Sequence, residues 1–273
     1  LLVGPPASMG APAWHVAALT LLMAIWWMTE AFPLTVTALL PFLALPLMGI
    51  LSAGEVAKEY YSPILFLILG GAFIALTVER TGMHRRIALW ILGFAGQSRF
   101  GLLLAFMAAT AFISMWISNT STSLIMMPIA LAVLVAGGVA DDETDGMAGA
   151  LVLGVAFAAS LGGLGTLVGS PTNPIAVGLI EKQVGMNISF ADWSSFGIPI
   201  LLVAVPVAAM ILAKVQKIEA TAFDPKAARS AIGTQGAWTV AEMRLLPIIL
   251  LAITLWLAQP QLEALLPKGS VTD

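Results

Sequence analysis

Seven long stretches of this chain carry no Asp, Glu, Lys or Arg: residues 1–29, 31–54, 60–78, 100–140, 146–180, 193–213 and 245–262. A helix crossing ~30 Å of hydrocarbon needs about 20 mostly apolar residues, so most of the 273 residues belong to segments at bilayer depth. Composition agrees, with 59% hydrophobic residues, 10% charged and a mean hydropathy of +0.97. A soluble domain carries about 25% charged residues, so a water-soluble enzyme is excluded. The net charge of −3 speaks against a nucleic-acid partner. Zero cysteines remove disulfides, thiolate nucleophiles and Cys-ligated metals, and His15 and His84 are far apart in sequence. In lipid only helices and closed barrels satisfy the backbone, and these runs are continuous rather than alternating. The fold class is all-α, a polytopic helical membrane protein.

Charge asymmetry organises the spans. Runs 31–54, 60–78, 193–213 and 245–262 suit one helix each. Gly4-Pro5-Pro6 interrupts the first run, so a span begins afresh at Trp14. No basic n-region or cleavage site precedes it, so no signal peptide is read there, and Leu1 in place of Met reads as a truncated start. Run 100–140 is too long for one span and short for two, while 146–180 is long for one. If 100–140 enters and returns on one side, Arg80, Arg85, Arg86, Arg99, Lys214, Lys217, Lys226, Arg229 and Arg244 share a face. Nine basic residues then lie inside and three (Lys58, Lys182, Lys268) outside, whereas a single crossing splits the nine four against five. The positive-inside rule favours the re-entrant hairpin.

The chain therefore reads as one membrane domain over 1–273. It has helices over 14–81, a re-entrant hairpin over 100–140, a broken helix over 146–182, a helix over 193–213, a cytoplasmic loop over 214–242 and a helix over 245–262. Residues 83–98 form either an amphipathic helix at the interface or an extension of the helix before them.

Two polar stretches stand at membrane depth. Ser118-Asn119-Thr120-Ser121-Thr122-Ser123 lies midway through the hairpin run, just after Ser114. A lone Ser or Thr bonds its own i−4 carbonyl, but six consecutive polar residues cannot all do so, and unpaired groups in hydrocarbon cost several kcal/mol each. The second stretch, Gly162 to Pro174, holds four glycines and two prolines in thirteen residues, which predicts an unwound helix. Unwound backbone is tolerated where it lines a cavity or is buried in protein. Helix–helix hydrogen bonding, a Gly165-x-x-x-Gly169 packing interface and a simple proline kink are the competing structural readings. No Lys, Arg or His lies between Arg99 and Lys182, and the acids in that interval are confined to Asp141, Asp142, Glu143, Asp145 and Glu181. The stretches thus offer neutral oxygens suited to a hard cation and helix N-termini suited to an anion. A proton relay is harder to build without an intramembrane carboxylate or His.

Other motifs carry less. Asp141-Asp142-Glu143-Thr144-Asp145-Gly146 opens like a calcium loop, but Val152 stands where a Glu is required, so it reads as a solvated connector. Asn187-Ile188-Ser189 matches a glycosylation sequon without other signs of a secretory context. His15 and His84 read as interface residues, and Glu30, between Trp26-Trp27 and Pro33, as part of a tight turn.

Trp26-Trp27-Met28-Thr29-Glu30-Ala31-Phe32-Pro33, Ser118-Asn119-Thr120, and Ser160-Leu161-Gly162-Gly163 through Thr166 to Gly169-Ser170-Pro171-Thr172-Asn173 together resemble the divalent anion/sodium symporter family. The resemblance implies Na⁺-coupled secondary transport of a divalent anion, a C4-dicarboxylate such as succinate, malate or fumarate, or else citrate or sulfate. It implies a multi-pass protein of the cytoplasmic membrane, not an enzyme, with no cofactor beyond Na⁺ as coupling ion. Ser114, Ser118, Asn119 and Gly169 match sodium-binding positions; Asn119, Thr120, Ser170 and Pro171 match positions contacting the substrate carboxylate. Ser170 stands where many members have Thr. The family is built from two inverted repeats around a shared midplane site, with residues 14–81 corresponding to scaffold-type helices, and its members are typically homodimers. One Ser-Asn-Thr and one helix break occur here, so the chain reads as the first repeat plus the start of the second, the second repeat being missing. Rival readings are a relative with other anion cargo or H⁺ coupling and, more distantly, an intramembrane serine hydrolase. The hydrolase lacks a Gly-x-Ser-x-Gly elbow and a histidine near either polar stretch.

Overall fold

The computed structural model describes residues 4–5, 10–61, 63–96, 98–139, 145–219, 223–232 and 236–265. Pro6, residues 141–144 of the acidic connector and Lys268 lie outside the described residues. All regular elements among the described residues are helices, grouped into two compact units, Leu1–Phe66 and Leu67–Asp273. Five helical stretches are long and apolar enough to cross a membrane: Ala11–Thr29, Ala53–Thr81, Asn119–Ala136, Phe190–Val215 and Val240–Leu257. The chain is an all-α, multi-pass membrane protein.

The first unit holds α1 (Ala11–Thr29), α2 (Leu34–Ala38), α3 (Leu40–Leu47) and α4 (Ala53–Tyr60). Proline in the first turn of α1 loses no intrahelical bond there. Helix α1 ends on Glu30, exposed and left-handed at φ 51°, and the chain turns tightly before Pro33. The uncharged run 31–54 is thus two short helices meeting at Leu39, not one straight span. Ser52 and Glu55 form a reciprocal capping box that starts α4, and Tyr60 Oη donates to Ala38 O at 2.7 Å.

Helix α5 (Pro63–Thr81) enters the second unit at Leu67. There follow α6 (Met83–Leu92), α7 (Arg99–Ser114), α8 (Asn119–Ala136), α9 (Gly146–Gly162), α10 (Thr172–Val184), α11 (Phe190–Val215), α12 (Pro225–Ser230), α13 (Val240–Leu257) and α14 (Gln259–Leu265). Gly82, at φ 77°, separates α6 from α5, and α6 buries Met83, Ala88, Leu89 and Leu92 while Arg85 and Trp90 stay exposed. The runs underestimate two helices at their starts. Asp192 and Glu242 each occupy the third position of a capping box, with Ser189 and Thr239 as N-caps, so α11 begins before Asp192, the acid that bounds its run, and α13 begins before Arg244, the base that bounds its own.

Helix α7 packs against α6, α8, α9 and α11, and its Leu102, Leu103, Phe106 and Met107 are fully enclosed. Lipid tails are as apolar as leucine, so close packing of small residues, rather than escape from solvent, holds such helices together. On α9 those residues are Gly154, Ala158, Ala159 and Gly162. A Cβ on Gly162 would lie 2.3 Å from the carbonyl oxygen of Ala111 on α7. Helix α7 has 16 residues, a rise of about 24 Å that falls short of the hydrocarbon thickness.

The feet of α7 and α8 meet on the segment after α11. Arg99, at the start of α7, donates to Ile218 O at 2.8 Å and Phe223 O at 3.2 Å. The Phe223 ring packs on Gly137 at the end of α8, and Asp224 N donates to Gly137 O at 2.9 Å. Helices α7 and α8 are therefore a hairpin. Arg229 of α12 bonds Ala95 O and, at 2.8 Å, Gly93 O. Arg86 of α6 grips Glu242 through two nitrogens at 2.8 and 3.1 Å, the carbonyls of Gly236 and Ala237, and the face of Trp238. The basic residues at 86–99 and 229 thus stand on one face of this unit.

Gly162→Ala is expected to cost about 1–3 kcal/mol by forcing α9 off α7, read as a lower melting temperature in detergent. Gly54→Ala, where an added Cβ meets nothing within 4 Å, should leave that temperature unchanged.

Candidate functional site

The hairpin tip and the broken helix face one another. Helix α7 stops at Ser114, residues 115–117 turn, and Ser118 caps α8 by accepting from Ser121 N at 3.2 Å. Helix α9 stops at Gly162, and helical structure resumes at Thr172 in α10. Between them residues 163–171 are irregular, as the glycines and prolines predict.

Three side chains stitch these irregular stretches together. Thr166 Oγ1 donates to Met115 O at 2.5 Å and accepts from Gly169 N at 3.1 Å. Asn173, 3% exposed, spends both amide protons on Gly163 O at 2.7 Å and Thr166 O at 2.8 Å. Ser114 Oγ lies 2.6 Å from Ala159 O and 2.8 Å from Asn119 Oδ1, so its single proton serves two acceptors in alternation. From α11, Trp193 Nε1 donates to Leu164 O at 2.9 Å.

What remains is a group of carbonyl oxygens aimed at Gly169. A Cβ there would stand 2.8 Å from Gly163 O and 3.0 Å from both Met115 O and Ser114 O, so glycine alone fits. Ser114 O and Met115 O belong to the C-terminal end of α7, the negative end of its dipole. Met115 O and Gly163 O each keep a second lone pair beyond the bond they already accept. Convergent neutral oxygens of this kind suit a hard cation. Beside them, the first turns of α8 and α10 present helix N-termini suited to an anion.

A cavity of about 300 Å³ opens next to this cradle, with Ser118, Gly169, Ser170 and Pro171 in its wall. Ser114 and Asn119 sit at the cradle itself, while Thr120 is exposed on the first turn of α8, outside the cavity wall. The structure brings Ser114, Ser118, Asn119, Gly169, Ser170 and Pro171 into one neighbourhood. Among the described residues, no group of three or more His, Cys, Asp or Glu is placed to hold a metal ion. His84 Nδ1 lies 3.1 Å from Val78 O and borders a separate apolar cavity of about 140 Å³.

Several contributors escaped the sequence reading. Ala159 and Gly163 act through backbone oxygen, which no residue type announces. Thr166 and Asn173 stand in the quoted motif but gave no sign of their stitching role. Glu79 lines the cavity from α5, outside the interval between Arg99 and Lys182. Asn173→Ala strands two buried carbonyls and should cost about 1–3 kcal/mol for each, and Asn173→Asp, isosteric but without donors, should lose at least as much, both read by thermal unfolding in detergent.

Comparison with known proteins gives the following. Residues 24–269 match the family model described as citrate transporter. The sodium-dependent dicarboxylate transporter SdcS of Staphylococcus aureus (strain USA300) is 36% identical over 268 residues, 95% of this chain and 51% of that protein. The protein of the same name from Staphylococcus saprophyticus is 40% identical over 209 residues, 74% of this chain and 40% of its own length. The chain spans about half the length of the curated relatives it matches.

Proposed function

This chain belongs to the divalent anion/sodium symporter family, and from that premise we propose that it forms one repeat of a Na⁺-coupled carrier of C4-dicarboxylates. The carrier works in the cytoplasmic membrane by alternating access, with a second repeat completing the site and a second copy completing a dimer. Ser114, Ser118, Asn119 and Gly169 hold the sodium ion. Asn119, Thr120, Ser170 and Pro171 take one carboxylate of the anion. The observation that carries this reading is the convergence of Ser114 O, Met115 O and Gly163 O on Gly169, beside two helix N-termini and without a charged side chain in the cradle. The relatives' name, sodium-dependent dicarboxylate transporter, supports the same cargo and coupling ion.

The mechanism follows from charge. Sodium binds first, shares the carbonyl oxygens and orders the Ser118–Thr120 tip. The dianion then meets fixed donors beside a positive ion. The loaded hairpin and broken helix rock against the scaffold helices as a two-state element. With more Na⁺ charge than anion charge, each net positive charge moving inward across 100 mV contributes about 2.3 kcal/mol.

Labelled succinate uptake by the complete transporter in proteoliposomes should collapse when choline replaces Na⁺, and uptake indifferent to Na⁺ would overturn the proposal. Asn119→Ala should lower Na⁺-driven uptake by about tenfold or more, in line with loss of a buried charged-group contact. The same variant should lose the rise in melting temperature that Na⁺ confers on the parent. Competition by malate, fumarate, citrate and sulfate in the same assay ranks the cargo.

A further inference from the structure

The cavity beside the cradle has two unlike ends. Its wall on α5 runs from Leu67 to Glu79, about 18 Å of helix. The positive-inside rule puts Arg80 and Arg244 inside, with Lys58 and Lys182 outside. Glu79, exposed and next to Arg80, therefore marks the inner end. At the other end the wall residues Leu67, Trp116 and Leu167 belong to a small apolar cluster around Phe190. Phe190 is the first residue of α11, and Trp256 lies at the end of α13 away from Arg244, so both stand at outer helix ends. The Phe190 ring, 3% exposed, lies between two others. It stacks on Trp256 at 5.2 Å between centroids with 20° between planes, and on Trp116 at 6.5 Å and 27°.

The three rings have different anchors. Trp116 sits in the hairpin turn, and Phe190 is tied to the broken helix beside it. Trp193 Nε1 donates to Leu164 O at 2.9 Å, and a Cβ on Gly197 would lie 2.6 Å from that same oxygen. Trp256 instead rides on α13, whose inner end is held to α6 by the Arg86–Glu242 pair. The buried members of the cluster, Leu167, Val177 and Phe190, are distinct from the core that encloses α7.

We propose that the Phe190–Trp256 stack is the outer gate of the carrier. Closed as it stands here, it shuts the cradle off from the outside and leaves the inner end of the cavity accessible. The inference rests on the alternating-access reading above and gives it a named seam. When the site turns outward, Trp116 and Phe190 travel with the hairpin and broken helix, Trp256 stays with α13, and the rings part. Stacked rings suit this task, because they cover a large apolar area yet hold one another by a small directional energy. Parting them leaves the core around Phe106 and Met107 enclosed.

The test reads which side of the membrane reaches the cavity in the complete transporter. This chain has no cysteine, and Ser121 lines the cavity wall without a part in the proposed sodium or anion contacts. Ser121→Cys in a cysteine-free background is therefore the reporter. A membrane-impermeant maleimide should label it readily in inside-out vesicles and slowly in right-side-out vesicles. Adding Trp256→Leu or Phe190→Leu should raise labelling from the outside by about threefold or more, the scale of a lost aromatic pair, without raising it from the inside. Trp256→Phe, which keeps a ring at the seam, should stay within about twofold of the parent. A parent labelled equally from both sides, or Leu variants with the parental outside rate, overturns the gate and leaves symport to stand on Na⁺-driven uptake. Leu variants labelled faster from both sides alike overturn it in favour of a packing role. Succinate uptake that ignores Na⁺ overturns the symport reading alone, because the labelling does not depend on the coupling ion.

Discussion

An unpaired backbone amide or carbonyl in hydrocarbon costs several kcal/mol, and the second unit interrupts its helices within apolar runs at residues 115–117 and 163–171. The second unit is arranged around that liability. Thr166 reaches Met115 O, Asn173 reaches Gly163 O and Thr166 O, and Trp193 reaches Leu164 O, so each irregular stretch is bonded by residues outside itself. The close approach of α9 to α7 at Gly162 brings the two interruptions to the same level. Oxygens left with spare lone pairs then point into one small space. The site is the remainder of a hydrogen-bonding problem that side chains solve almost completely.

Neutrality of that space has a consequence for coupling. In the proposed carrier a cradle of carbonyl and amide oxygens binds a cation only weakly by itself, and a dianion not at all without the cation. Each ligand raises the other's affinity by the same factor, and the protein supplies no charge of its own that would hold either one after the other has left. Placing a carboxylate in the cradle would break that interdependence; the nearest carboxylate in the cavity wall stands on α5 instead.

The arginines serve two ends. Their distribution predicts which loops face the cytoplasm, a statistical rule about insertion. In the folded unit the guanidiniums of Arg86, Arg99 and Arg229 bond backbone carbonyls, and in doing so fasten the α7 foot of the hairpin and the α6 helix to the segment between α11 and α13. Five donors in a rigid fork suit this task better than the single ammonium of lysine.

Long uncharged runs, the polar interruption at Ser118–Ser123 and the Gly/Pro-rich stretch after Gly162 were legible because each is a property of consecutive residues, and lipid leaves few conformations for them. Charge counting predicts that 100–140 returns to one side of the membrane, whereas the meeting of the α7 and α8 feet on one segment is set by tertiary contacts. Helix ends were less so: Asp192 bounds an uncharged run and is a capping residue inside α11, a role that depends on local backbone geometry rather than on residue type. The cradle itself was decided by tertiary structure. Ser114 and Asn119 were singled out by sequence resemblance, but Met115 and Gly163 contribute backbone oxygens, identical in every residue, and only the packing of α9 on α7 selects which of them converge. Glu79 joins the cavity because α5 turns one stripe toward Val168. That fact is set by contact between segments some ninety residues apart, beyond any local pattern in the chain.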